Sequence, residues 1–217
     1  MARNRAALNR ERVLLAAMAL ADKDGIESLT MRKLGQELGV EAMSLYNHVA
    51  NKDDILDGLV DLVFGEIAEP SGHTGWKAAM RRRGISAREV LTRHPWAIGL
   101  MESRTTPGPA TLRHHDAVIG SLRQAGFSIQ MAAHAYSAMD SYIYGFALQQ
   151  TTLAVDPSKP PEASAQDFLR QLAADRYPHL AELTRKVAMK PGYDYSKEFE
   201  FGLDLILDGL EALRARR

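Results

Sequence analysis

Apolar residues recur at three- and four-residue intervals along most of the chain, the period of helices that bury one face. No Val-, Ile- and Thr-rich alternating run is long enough to make a strand. The pattern therefore predicts an all-α protein. Its helices are expected over 9–24, 31–37, 41–47, 52–68, 76–93, 95–101, 108–124, 128–153, 164–187 and 195–214, with the 164–187 stretch broken at Tyr177-Pro178. The breaker cluster 69–75 (EPSGHTG) separates a small N-terminal part from a longer helical body. A second loop, 156–161 (DPSKPP), is expected to be the mobile segment of the body.

Residues 25–54 carry the strongest local signal. Thr30 is suited to cap a short helix, on which Leu34 and Leu38 sit one turn apart. Gly39 supplies the positive φ of a tight turn into a second short helix, whose Leu45 and Val49 face the first. Asn51 is placed to cap the next helix, with Asp54 reaching back in a box-like arrangement. Two short helices joined by a glycine turn, with a longer helix packed on them, make a helix-turn-helix. The expected division is a helix-turn-helix domain over 1–52 and a second domain over 53–217, connected by helix 52–68.

The second helix of such a motif enters the major groove. Ser44 and Asn47 can hydrogen-bond base edges, and Ala42 and Met43 can touch a thymine methyl. Thr30, Arg32, Lys33, Tyr46, His48 and Lys52 suit phosphates, which position the motif without reading sequence. A solvated αα-corner would show similar polar residues; the spacing of the whole constellation favours DNA.

That constellation resembles the TetR family of bacterial transcriptional regulators. The residues carrying the likeness are Gly25, Leu29-Thr30, Arg32, Leu34, Leu38-Gly39-Val40, Leu45-Tyr46, His48-Val49 and Lys52, with Gly35 where alanine is usual. The likeness continues through Trp76, residues 124–128 (QAGFS) and residues 201–211 (FGLDLILDGLE), which are similar to the C-terminal domain of tetracycline-repressor-type members. It implies a homodimer that binds a palindromic operator and releases it when a small molecule binds the body. In that type, histidines and an acidic residue hold a drug–magnesium complex. The corresponding positions here read Ala68, Glu102 and Gln149, so the resemblance implies a different ligand bound without metal or other cofactor.

In the last helix Phe199, Leu203, Ile206, Leu210 and Leu213 follow 4-3 spacing, with Gly202 and Gly209 beside them. Met131, Ala135, Ala138, Tyr142 and Gly145 repeat that spacing in the 128–153 helix. Spacing leaves an internal core and a dimer seam equally open; the resemblance points to a dimer bundle built on Ala135, Ala138, Tyr142, Leu203, Ile206 and Leu210. Tyr136, Met139, Ile143 and Phe146, with Trp96, Leu100, Met101, Glu102 and Leu112, are expected to line an apolar pocket. His114 and His115 diverge by about 100° on a helix and are poorly placed to share one ion. His94 and His179 read as loop residues, and His134 as a core residue.

Composition narrows the reading. The chain has 217 residues, 46% hydrophobic, with 27 basic against 27 acidic side chains. Zero formal charge excludes coating of nucleic acid by bulk charge, but not a local basic patch. The absence of cysteine removes disulfides, thiolate metal sites and thiol nucleophiles. Four early arginines before the apolar run 13–21 imitate a secretory signal. Glu11 interrupts the charged start and the run passes into Asp22-Lys23-Asp24-Gly25, so an ordinary helix end is the better reading. The run is also too short to span a bilayer. No phosphate loop, nucleophile motif or facing Glu-x-x-His pairs point to an enzyme. The expected function is a cytoplasmic, ligand-responsive repressor released by a mainly apolar organic inducer. A helical adaptor without DNA contact is the alternative, and a helical-bundle enzyme a weaker one.

Overall fold

Short polar side chains open the N-terminal helices by taking over free amides. The Arg12 amide donates to Asn9 Oδ1 at 2.8 Å and starts α1 (Arg10–Asp24). The Lys33 amide donates to Thr30 Oγ1 at 3.1 Å and starts α2 (Met31–Leu38). Gly39, at φ 66° and ψ 38°, turns the chain into α3 (Ala42–Leu45). The helix expected over 41–47 is thus one turn, continued by turn residues through His48. α4 (Lys52–Glu66) opens on a reciprocal cap: the Asp54 amide donates to Asn51 Oδ1, and the Ala50 amide to Asp54 Oδ2, both at 2.8 Å. Arg10 closes on the same carboxylate at 2.6 Å. That hydrogen bond holds the Asp54 carboxyl below its ordinary range. Inside the unit Val13, Ala17, Leu29, Leu34, Leu45, Ile55 and Leu59 are buried together.

The computed structural model describes residues 7–70, 75–152, 161–172 and 176–215, with backbone alone at 152 and 161–165. Every regular element among them is helical. After α4 come α5 (Trp76–Arg93), α6 (Ala97–Ser103), α7 (Pro109–Gln124), α8 (Ile129–Thr152), α9 (Pro161–Gln171), α10 (Pro178–Leu183) and α11 (Ser196–Ala215). α4 packs on α1, α6 and α7, while α5, α8 and α11 pack on one another. Pro95 delays α6 to Ala97, with Trp96 as its cap. The stretch expected over 164–187 divides into α9 and α10, the latter opened by Pro178, where a missing amide hydrogen is tolerated; a π-helical turn follows at Thr184–Ala188. The loop expected to be mobile lies outside the described residues except for Pro161.

Within the protomer the two 4-3 stripes are partly covered: Phe199, Leu203, Leu210 and Ala135 are buried, whereas Leu213 and Ala138 stay exposed. Leu203 and Leu210 are buried with Phe199 and Leu207, and Leu203 closes on Gly84 of α5 beside Ile143. Ala135 is fully buried. Tyr142 turns onto α11, stacking on Phe199 at 5.5 Å and donating to its carbonyl at 3.0 Å. Gly202 permits that approach, since a Cβ there would lie 2.1 Å from the Tyr142 hydroxyl. Ile206 is half-buried, and only Ala138 of the six is exposed. A 4-3 stripe specifies a helical neighbour, and α5 supplies one within the same chain. The apolar residues left outside on α11 are Leu213 at the end of the stripe itself and, beside it, Phe201 (65% exposed) and Leu205 (58%); Ile129 and Leu148 are exposed on α8.

Leu203→Ala should therefore lower the free energy of unfolding by about 2–5 kcal/mol through a core cavity. Urea denaturation at two protein concentrations checks this. A loss seen only at the lower concentration would return Leu203 to an intersubunit seam.

Candidate functional site

The α2–α3 unit presents one polar face. Leu45 and Val49 point inward. Met43 (75% exposed), Tyr46, Asn47, Arg32 and Lys52 point outward, with Ala42, Ser44 and His48 half-covered between them. Two expected phosphate ligands already have local work: the Thr30 hydroxyl caps α2, and Lys33 pairs with Asp24 at 2.6 Å. That ion pair is exposed and weak enough for a phosphate to compete with it.

Three polar clamps hold α4. In its first turns, Arg104 from the α6–α7 loop reaches Asp57 at 2.6 Å and Asp53 at 2.9 Å. In its middle, Asp61 Oδ1 accepts from the Thr111 amide at 2.8 Å and hydroxyl at 3.0 Å, capping α7 from outside. At its end, Glu66 meets Arg93 at 2.6 Å and His94 at 3.4 Å. His94 also lies 2.6 Å from Asp22 at the end of α1, and the Trp96 indole donates to that carboxylate at 2.7 Å. His94 lies in the connection after α5, as expected, but it is buried there and joins α1 to the body.

Beside α4 the body is hollow. An inner cavity of about 310 Å3 is lined by Val60, Phe64, Met101, Glu102, Arg104, Thr106, Pro107, Thr111, Leu112, His115, Tyr136 and Tyr144. A more open one of about 500 Å3 lies between α6 and α8, lined by Ile98, Glu102, Tyr136, Ser137, Asp140, Ser141, Tyr144, Gly145 and Leu148. Glu102, Tyr136 and Tyr144 border both. The structure thus brings Met101, Glu102, Leu112 and Tyr136 of the expected pocket together. It does not bring the rest. Met139 and Ile143 are packed core, Phe146 stacks on Tyr195 at 4.9 Å, Trp96 is drawn to Asp22, and Leu100 lines neither cavity. The lining is more polar than expected, and Glu102 is exposed rather than buried.

Under the cavities lies a charged core. Arg83 of α5, 1% exposed, places Nη1 2.6 Å from Asp140 Oδ1 of α8 and donates from Nε to His114 Nε2 of α7 at 3.0 Å. The Arg83–Asp140 approach is close but poorly aligned, so both Arg83 Nη atoms, Asp140 Oδ1 and His114 Nδ1 lack an aligned hydrogen-bond partner. Burial, then the Arg83 charge, pushes His114 down to about 3, keeping its imidazole neutral. Burial also lowers His115. It holds the Tyr136 and Tyr144 phenols protonated far above their ordinary range, with Asp140 adding to the effect.

Sequence reasoning missed this core and the clamps. A signal existed: Arg83 falls on the buried stripe of Ala79, Met80, Ala87 and Val90, and Asp140 lies beside Ala135, Met139 and Ile143. Opposite charges on apolar stripes of neighbouring helices have to meet or be neutralised. His134, expected in the core, is exposed, and His179 lies in α10 rather than a loop. Among the described residues no group of three or more His, Asp or Glu is arranged to hold a metal ion. Of Ala68, Glu102 and Gln149, only Glu102 lines either cavity.

A three-helix reading unit clamped to a hollow helical body is the build of a helix-turn-helix regulator with a small-molecule chamber. The family model for bacterial regulatory proteins of the tetR family matches residues 13–59, and that for the tetracyclin repressor-like C-terminal domain matches 69–214. The chain is 33% identical to the HTH-type transcriptional repressor DrrR1 of Streptomyces coeruleorubidus, over 97% of its own length and 80% of the relative's. It is 32% identical to the tetracycline repressor protein class D of Escherichia coli, over 76% of its own length and 78% of the relative's. Among solved structures, the Streptomyces coelicolor TetR family protein ActR in complex with actinorhodin superposes with a TM-score of 0.78 at 27% identity, covering 96% of this chain and 99% of that one. The chain belongs to the tetR family of transcriptional regulators, which are not enzymes.

The depressed His114 value ties stability to pH. Its folded value of about 3 lies below the ordinary histidine value of 6.5, so the unfolded chain binds the extra proton between them and stability falls as pH drops through that window. The loss from His114 reaches about 1.4 kcal/mol per pH unit, and His115 adds to it in the same direction. His114→Gln should flatten this acid arm between pH 6.5 and 4 in urea titrations. An unchanged slope would assign the acid sensitivity to another group.

Proposed function

We propose that this protein is a repressor that binds a palindromic operator as a homodimer in the cytoplasm and releases it when a small, mainly apolar organic molecule enters the chamber beside α4 without a metal. The observation that carries the reading is Arg104: it lines the inner cavity and grips Asp53 and Asp57 at the start of α4. Lys52, next in the chain, opens that helix on the DNA-facing side. A ligand that displaces Arg104 changes what holds the reading unit. It can shift the equilibrium only by its difference in affinity for the two arrangements. The small-molecule complex of the ActR neighbour supports an organic inducer.

The dimer is supported by the apolar residues exposed on α11 (Phe201, Leu205 and Leu213), with Ile129 exposed at the start of α8. Two reading units would then meet half-sites about one helical turn apart, roughly 34 Å. Ser44, Asn47, Ala42 and Met43 would read bases, with Thr30, Arg32, Lys33, Tyr46, His48 and Lys52 on phosphates. The test is fluorescence anisotropy with the intergenic DNA upstream of the gene, titrated with salt. Saturable binding to it over random DNA is the expected result. Equal binding to both, or none, would favour a helical adaptor.

Within that assay Lys52→Ala should weaken binding to all sequences and reduce the salt slope by about one. Asn47→Ala should cost about 1–3 kcal/mol on the operator and little on random DNA. Identical losses on both DNAs for both variants would show that the roles are wrongly divided.

Leu205→Glu should leave the protomer folded, because the position is solvent-facing within it, and should shift the protein towards monomer by placing a carboxylate in an apolar contact. Light scattering at micromolar concentration reads this directly. A variant that remains fully dimeric would move the interface off α11.

A further inference from the structure

We infer that the chamber takes a ligand of two chemical parts, an aromatic body in the inner cavity and a protonated amine at the Glu102–Tyr136–Tyr144 border. The inference rests on the small-molecule reading above and supplies the ligand's class. The two cavities differ in chemistry although they share those three side chains. The inner one is walled by apolar and aromatic groups: Phe64 and His115 stand edge to face at 5.1 Å, and His115 meets Tyr136 at 5.6 Å. Its one cation, Arg104, is spent on Asp57 and Asp53. The outer one carries two carboxylates, two phenols and two serine hydroxyls, and no lysine, arginine or histidine among its described lining.

The charge balance identifies the free group. Asp140 is 6% exposed and its charge is offset by Arg83. Glu102 has no basic partner among the described residues, and it stands on the border of both spaces. An ammonium there gains the Glu102 carboxylate, and its remaining N–H donors have the Tyr136, Tyr144 and Ser137 hydroxyls as acceptors to choose from. The electron-rich faces of the two tyrosines add cation–π attraction. Protonation of both phenols, held by burial, keeps those hydroxyls neutral. A carboxylate ligand in the same place would meet Glu102 and the Asp140 edge with no free cation to offset them.

The test titrates the full-length protein at low ionic strength with 1-pyrenemethylamine, 1-pyrenemethanol and 1-pyrenecarboxylate, read by pyrene fluorescence. These share one aromatic body and differ in charge. The expected order is amine, alcohol, carboxylate, the amine about five- to tenfold tighter than the alcohol, as one exposed charge pair allows. Glu102→Gln should abolish the amine's advantage and leave the alcohol unchanged. Ser137→Lys should place the protein's own ammonium beside Glu102 and likewise erase the amine's advantage over the alcohol. Both positions are exposed, and circular dichroism verifies folding. The inference is overturned if the carboxylate binds as tightly as the amine, if the amine does not bind, or if Glu102→Gln leaves the amine-to-alcohol ratio intact. Anisotropy with the upstream DNA, run without pyrene compounds, separates this from the repressor reading. DNA binding without amine preference sinks the ligand class alone; amine preference without DNA binding supports it and sinks the repressor.

Discussion

α4 is shared between the reading unit and the body, and the rest of the structure depends on how it is held. Its inward residues Ile55, Leu59 and Val63 belong to the continuous core, so it cannot leave without exposing large apolar area. Its polar side is held differently, by Arg104 at the start, Asp61 in the middle and Glu66 at the end. Apolar packing tolerates a small slide or tilt, whereas a hydrogen-bonded ion pair is made or broken within about an ångström. A helix seated on grease and pinned by charges can rest in alternative positions while its core survives. Such discrete positions are what a ligand-controlled equilibrium requires.

The clamps also explain where the cavity sits. Arg104 is cavity wall and α4 clamp together, and Thr111 lines the cavity while donating to Asp61. Two of the three clamps are therefore within reach of whatever fills the inner space. The third, around Glu66, His94 and Asp22, lines neither cavity and ties α1 to the body directly. Under the proposed ligand control, the first and middle turns of α4 are the ones a bound molecule could reach, and the clamp at its far end is not.

Much of this architecture was legible in the sequence because it is local. Thr30, Gly39 and Asn51 act within a few residues of themselves, and their chemistry is the same in any helix-turn-helix. The helices of the body were legible from periodicity for the same reason. What periodicity could not supply was the identity of the neighbour. Leu203 and Leu210 face α5 and α8 in their own chain, and Phe201 and Leu205 face outward; a stripe of leucines carries no mark of which chain it will touch. The pocket failed similarly. Phe146, Met139 and Ile143 have the residue types of a lining, but tight packing against α5 and α11 fills the space they would have framed.

The charged groups were misjudged for the opposite reason. Arg83 sits in a run of three arginines and reads as solvated, and Asp140 follows a methionine in an apolar helix. Each is costly alone, and only their meeting across α5 and α8, with His114 from α7, makes either tolerable. The network remains incompletely satisfied, with donors and an acceptor out of alignment. Apolar residues of similar volume often replace a buried ion pair with no loss of stability, so stability alone is a weak account of it. Asp140 is the one member that reaches the outer cavity wall. It adds a buried carboxylate to a wall that already carries the exposed Glu102, and Arg83 is what offsets its charge in a body otherwise packed with leucine, methionine and alanine.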